Sequence, residues 1–128
     1  MNCSDNNCSS CITDILEKIL VLQKQDYECD NFVGCDKPFL GPINNKTCYN
    51  TRPIQLFICS TGTPWTFTYN NTDSSSILRI ENLDDCCCTC RILYTDNNEL
   101  IGTNEFVTID LTCCGAIRCL DDTYIDLC

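Results

Sequence analysis

The stretch Leu83-Asp84-Asp85-Cys86-Cys87-Cys88-Thr89-Cys90-Arg91-Ile92-Leu93-Tyr94-Thr95 decides how the rest of the chain is read. Past Arg91 it is aliphatic, aromatic or β-branched, the composition of a strand. Successive side chains on a strand alternate faces. Cys86, Cys88 and Cys90 are therefore expected on one face and Cys87 on the other. Adjacent cysteines on one strand make poor disulfide partners, because a bridge needs the two Cβ atoms about 4 Å apart and facing. These thiols are expected to seek partners on other segments or other chains. The C-terminal segment echoes the pattern with Cys113, Cys114, Cys119 and Cys128.

Working outward from that strand, the flanking sequence continues to read as β. Upstream, Ile77 to Leu83 places Ile77, Arg79, Glu81 and Leu83 on one side, with Leu78 and Ile80 on the other. Before it lie a polar turn at Asn70 to Ser75 and a predicted hairpin. The hairpin joins Pro53–Cys59 to Pro64–Tyr69 through Ser60-Thr61-Gly62-Thr63. Downstream, Asp96-Asn97-Asn98 turns the chain into Glu99–Ile101. After Gly102, Glu105–Cys113 alternates Phe106, Thr108 and Asp110 against Val107, Ile109 and Leu111. A last apolar piece spans Ala116–Leu120. Six to seven short strands with turns every 8–12 residues or so predict a mainly β fold, an antiparallel β-sandwich or barrel.

One helix precedes the strands. Ile12, Ile15, Leu16, Ile19, Leu20 and Leu22 recur at helical spacing behind Ser10, a suitable N-cap, which predicts a helix over about 11–25. Residues 1–9 hold almost nothing to bury and read as a flexible arm carrying Cys3 and Cys8. Residues 26–52 have loop composition and carry Cys29, Cys35 and Cys48. Residues 10–128 are expected to form a single domain with its β part over 53–128.

The chain has 128 residues, of which 15 are cysteine. That is roughly 12 %, the density of a disulfide scaffold. Yet a chain of this length can build an ordinary core, and staples are needed mainly below about 70–80 residues. Cysteine thus exceeds what folding demands, and its odd number leaves at least one thiol free or paired between chains. Interchain disulfides are expected of Cys3, Cys8, Cys11, Cys86, Cys87, Cys88 and Cys90. Structural disulfides or cross-links are expected of Cys29, Cys35, Cys48, Cys59, Cys113, Cys114, Cys119 and Cys128.

Eight basic residues against 18 acidic ones give a formal net charge of −10, which argues against nucleic acid as a partner. There is no histidine, and with it go the Ser-His-Asp and Cys-His nucleophile arrangements and Cys/His zinc sites. No secretory signal is visible at the N-terminus, and no apolar run approaches the roughly 20 residues of a membrane span. The cysteines ask for an oxidising setting that the cytosol does not provide.

Individual motifs carry little chemistry. Cys8-Ser9-Ser10-Cys11 is a C-x-x-C at a helix start, but it lacks the preceding strand of a redox dithiol. The thiols at 86, 87, 88 and 90 lie too close in sequence to surround one ion, and Cys113 and Cys114 are the extra ligands a metal site would draw on. Asp84-Asp85 and Asp121-Asp122 are candidates for weak divalent-cation binding. Asn45-Lys46-Thr47 and Asn70-Asn71-Thr72 match the glycosylation pattern and are read as turns. Trp65, Phe67 and Tyr69 share a strand face and are read as core. No catalytic residue, cofactor site or metal site is assigned.

Six segments occur in an order that resembles a known family. They are Cys35-Asp36-Lys37-Pro38-Phe39-Leu40-Gly41, Asn50-Thr51-Arg52-Pro53, Ile77 to Asp85, Arg91-Ile92-Leu93, Val107 to Cys113, and Ala116 to Asp122. The chain resembles the CotY/CotZ/ExsY family of spore coat and exosporium proteins from endospore-forming bacteria. The resemblance implies a non-enzymatic structural protein that self-assembles into a disulfide-cross-linked lattice. It also implies synthesis in the mother-cell cytoplasm, a place at the spore surface (coat crust or exosporium), and copies of itself and other coat proteins as partners. Oxidation as the shell matures would resolve the mismatch between thiols and compartment. Cys113-Cys114-Gly115 stands where the family tends to show C-x-C, so bridge partners are not carried over there. A cysteine-rich metal-binding protein and a secreted disulfide-rich module are the alternative readings.

Overall fold

The structure, a computed structural model, describes residues 10–24 and 49–127. The arm with Cys3 and Cys8, the loop positions of Cys29, Cys35 and Cys48, and Cys128 lie outside the described residues.

Helix α1 runs Ser10–Lys24 and buries Ile12, Leu16 and Ile19. These positions fall at i, i+4 and i+7, one face of a 3.6-residue repeat. That stripe packs on a sheet through β4, whose inward residues Leu78 and Ile80 are fully buried. The strands are β1 Ile54–Ile58, β2 Phe67–Thr68, β3 Ser74–Ser75, β4 Ile77–Asp84, β5 Cys87–Asp96, β6 Glu99–Asp110 and β7 Cys114–Cys119. Five of them form an antiparallel sheet in the order β6-β5-β4-β1-β7, and β2 pairs with β3 in a separate ribbon. The fold is thus mainly β, with antiparallel sheets and one N-terminal helix. Of the two architectures expected, the barrel does not form among the described residues, because β6 and β7 end the sheet as open edges.

The core lies between α1 and the inner face of the sheet. It is built by Ile54 and Leu56 of β1, Leu78 and Ile80 of β4, Cys88, Cys90 and Ile92 of β5, and Ile109 of β6. Burying each such aliphatic side chain is worth about 1.5–3 kcal/mol. The alternation expected along β5 holds: Cys88, Cys90 and Ile92 are buried on the helix side, while Cys87 is exposed.

Three strand boundaries differ from the sequence reading. Gly102 does not break β6. Arg91 pairs with Phe106 and Leu93 with Gly102, so Thr103–Glu105 forms a bulge inside one continuous strand. The Thr103 hydroxyl donates to Ile92 O at 2.7 Å and accepts from Glu105 N at 3.1 Å, which satisfies groups freed by the bulge. The strand predicted to reach Cys113 stops at Asp110 instead. Its carboxylate accepts from Thr112 N and from the Thr112 hydroxyl, at 3.0 and 2.7 Å, and turns the chain into a 3-10 turn over Leu111–Cys113. The predicted hairpin keeps its turn, with Gly62 at φ +74 and Ile58 N donating to Thr63 O. Its return segment pairs with β1 around the single Phe57–Pro64 bridge, where Trp65 N donates to Leu56 O, and then leaves to pair with β3.

Residues after β7 cover part of the outer face of the sheet, around Gly102. Asn50 donates to Ile125 O and accepts from Ile125 N, both at 2.8 Å, and Thr51 bridges Thr123. Ile125 is 1 % exposed and sits on Gly102, where an added Cβ would meet its Cγ2 at 2.9 Å. Leu93 is buried from this side, so β5 has apolar residues on both faces.

Candidate functional site

The cysteines divide by depth. Cys88, Cys90 and Cys114 are buried; Cys59 and Cys113 are half-buried; Cys11, Cys87 and Cys119 are exposed, and all eight are free thiols. Cys86, at the turn before β5, is disulfide-bonded. Depth follows from strand parity. Cys88 and Cys90 point with Ile92 toward α1, whereas Cys87 points with Arg91 to the outer face.

The Sγ atoms of Cys88 and Cys90 lie 3.8 Å apart. The hydrogen bond to Cys88, together with burial, pushes the Cys90 thiol well above the usual cysteine range. Burial pushes Cys114 up to about 11. Only the thiolate attacks or ligates, so Cys90 and Cys114 stay protonated near neutrality and pack as small apolar groups. The cross-linking expected of Cys88 and Cys90 therefore finds them shielded in the core. Among the described residues, no three Cys, Asp or Glu side chains converge as a metal ion would require. Cys113 and Cys114, named above as extra ligands, are part of no such group.

The exposed thiols are dispersed. Cys11 lies in the first turn of α1, Cys87 opens β5, and Cys119 closes β7. Two strands, β4 and β1, separate β5 from β7. At about 4.8 Å per strand spacing, Cys87 and Cys119 are roughly 14 Å apart across the sheet alone. A disulfide requires Cα atoms within about 7 Å.

The remaining sequence-level candidates resolve as structure. Trp65, Phe67 and Tyr69 pack against the core, and Tyr69 stacks on Tyr94 with centroids 4.9 Å apart. Asn70 caps its own turn, accepting from Thr72 N and Asp73 N. Asp122 is engaged by Arg52 through two bonds of 2.7 and 2.9 Å, which hold its carboxyl below the usual carboxylate range. Asp84, Asp85 and Asp121 are exposed.

Sequence reasoning missed a buried ionic network on the outer face. Arg79 is 6 % exposed and donates to Thr51 Oγ1, Glu81 Oε2 and Asn50 O. Arg91 donates to the same Glu81 oxygen and to Thr103 O, and lies over the Phe106 ring at 4.6 Å. The usable signal was Arg79 between Leu78 and Ile80: a charge on the outer face of a central strand is buried only if another segment covers it.

Neither a curated protein nor a solved structure matches the chain. Residues 1–101 match the profile of a family described as spore coat protein Z. That match runs from the N-terminus through the start of β6, and on it the chain belongs to the spore coat protein Z family.

Proposed function

We propose that this protein is a structural, non-enzymatic component of the spore's outer layer that self-assembles and is then locked by interchain disulfides. Family membership supports the structural spore coat role and the spore-surface location. The observation that carries the cross-linking is the dispersal of Cys11, Cys87 and Cys119, free and exposed on three elements. Cys87 and Cys119 lie too far apart to bridge each other within one chain, which favours partners on neighbouring chains. Cys3 and Cys8, on the arm, extend the set: nine residues reach up to about 30 Å when extended, enough to meet a neighbour. A covalent tether adds avidity through effective concentration without new buried surface. The layer is a lattice of copies of this chain, joined by other coat proteins, at the crust or the exosporium.

The test is oxidation of the purified full chain, followed by non-reducing gel electrophoresis and size measurement at micromolar concentration. Covalent multimers that depend on Cys11, Cys87 and Cys119 are expected. A species that stays monomeric under mild oxidant overturns the reading.

A further inference from the structure

The five-stranded sheet ends in two edges of unlike character. β6 is 12 residues long, carries Glu99, Glu105 and Asp110, and is interrupted by the Thr103–Glu105 bulge. Charge and bulges are the devices that keep an edge from pairing. β7 also has a bulge, at Gly115 near its start, where Phe57 pairs with Ala116 and Ile58 with Cys114, but it has no carboxylate and one cation, Arg118, beside the small exposed Ala116. With a formal net charge of −10, two copies repel over most of their surface. Of the two edges, β7 is the one along which they meet without opposing acids.

The ladder also fixes which backbone groups β7 presents outward. Leu120 N donates to Pro53 O at 2.8 Å. Bonded and non-bonded pairs alternate in an antiparallel ladder. The bonded pairs of β1 with β7 are then Gln55–Arg118 and Phe57–Ala116, within the observed register. Ile117 and Cys119 turn their N–H and C=O away from β1, out of the edge. The complementary groups of β1 face its other side, where Leu56 O accepts from Trp65 N at 2.9 Å.

We propose that β7 pairs antiparallel with β7 of a second copy about a two-fold axis at Ile117, joining two sheets into one of ten strands. This rests on the self-assembly proposed above and supplies the non-covalent contact that disulfides then lock. In this register Ile117 faces Ile117 of the second copy as a bonded pair, Cys119 faces Gly115, and Ala116 faces Arg118. The outward groups of Ile117 meet those of its copy, and the bulge at Gly115 ends the regular alternation beyond Ala116. An axis at Arg118 would set two guanidiniums opposite each other. Main-chain bonds supply the affinity, as in other strand additions, and two-fold symmetry makes each side-chain contact occur twice.

The experiment is sedimentation of the full chain under reductant, which removes disulfides from the readout, for the parent, Ala116→Lys, Ala116→Glu and the double variant Ala116→Lys with Arg118→Glu. Ala116 is exposed, and circular dichroism checks that the sheet is kept. Lysine opposite Arg118 should weaken dimerisation about tenfold, since the cross-strand repulsion occurs twice. Glutamate should strengthen it, and the double variant should recover the parent's dimer. Equal effects of lysine and glutamate, or none, overturn the pairing. A reduced parent that is monomeric, yet grows covalent multimers on oxidation, overturns the pairing while the cross-linking reading stands. A parent that is monomeric in both states overturns both.

Discussion

Gln23 Nε2, near the end of α1, donates to the backbone carbonyl of Ile80 on β4 at 2.8 Å. Its Oε1 accepts from Arg52 N at 3.1 Å, so one amide ties the helix to β4 and to the entry of β1. The carbonyl is available because Ile80 pairs with Cys90 and Asn82 with Thr89, leaving Glu81 as the extra residue of a bulge. Gln23→Leu removes both bonds and leaves two half-buried backbone groups without this partner. A loss of about 1–3 kcal/mol is expected, read as a lower urea midpoint at unchanged slope under reductant.

Glu81 Oε2 joins Arg79 and Arg91 at 2.6 and 3.0 Å. The three side chains are 22 %, 8 % and 12 % exposed, so the charges are largely removed from water. Glu81→Ala leaves two guanidiniums uncompensated under the C-terminal segment and should cost about 3 kcal/mol. Arg79→Lys should not substitute, because one ammonium cannot reproduce the fork that reaches Thr51, Glu81 and Asn50 together. Denaturation of both variants checks this.

Asp122 is held below the usual carboxylate range by its hydrogen bond to Arg52, and Asp110 by the Thr112 hydroxyl and amide. A depressed folded pKa gives stability that is present above the unfolded value, near 3.9, and lost as pH falls through the folded value. Both partners of the Arg52–Asp122 pair are more than a third exposed, so solvent screening limits its worth to a few tenths of a kcal/mol. Asp122→Asn should narrow the difference in urea midpoint between pH 7 and pH 2. An unchanged difference would remove Asp122 from the acid response.

Thiol alkylation should separate the cysteines by depth. Peptide mapping after brief treatment of the reduced, folded chain should find Cys11, Cys87 and Cys119 modified and Cys88, Cys90 and Cys114 protected. At pH 9 an ordinary thiol is mostly ionised, whereas Cys114, with its pKa at about 11, and the deeper Cys90, raised well above the usual range, stay protonated and should resist longest. Labelling of Cys88 at the rate of Cys87 would mean that β5 opens in the native state.

Local patterns carried the helix stripe of Ile12, Leu16 and Ile19, the opposite facing of Cys87 and Cys88, and the turn at Gly62. Each depends only on the 3.6- or 2-residue period, or on a single permissive backbone position. The six ordered segments carried the family. The stop at Asp110 is also written locally, in Asp110-Leu111-Thr112, but the apolar alternation that runs on to Leu111 masks it.

What the periodicity could not determine is which strands become neighbours. β1 lies between β4 and β7, and Ile54 faces Leu78 on one side and Cys119 on the other. Pairings this distant in sequence are chosen by the burial of whole faces at once, at a loop-closure cost that depends weakly on separation. The bulges at Glu81 and Thr103–Glu105 arise the same way, since each relieves a mismatch with a partner strand. Leu93 is packed at Gly102 beside Ile125, and Arg79 is held by Thr51 and Asn50, contacts no local window contains. Which thiols reach solvent was therefore decided in part by strand parity, legible in the sequence. The remainder was set by which face the helix covers and which edges the sheet leaves open, and only the tertiary structure determines those.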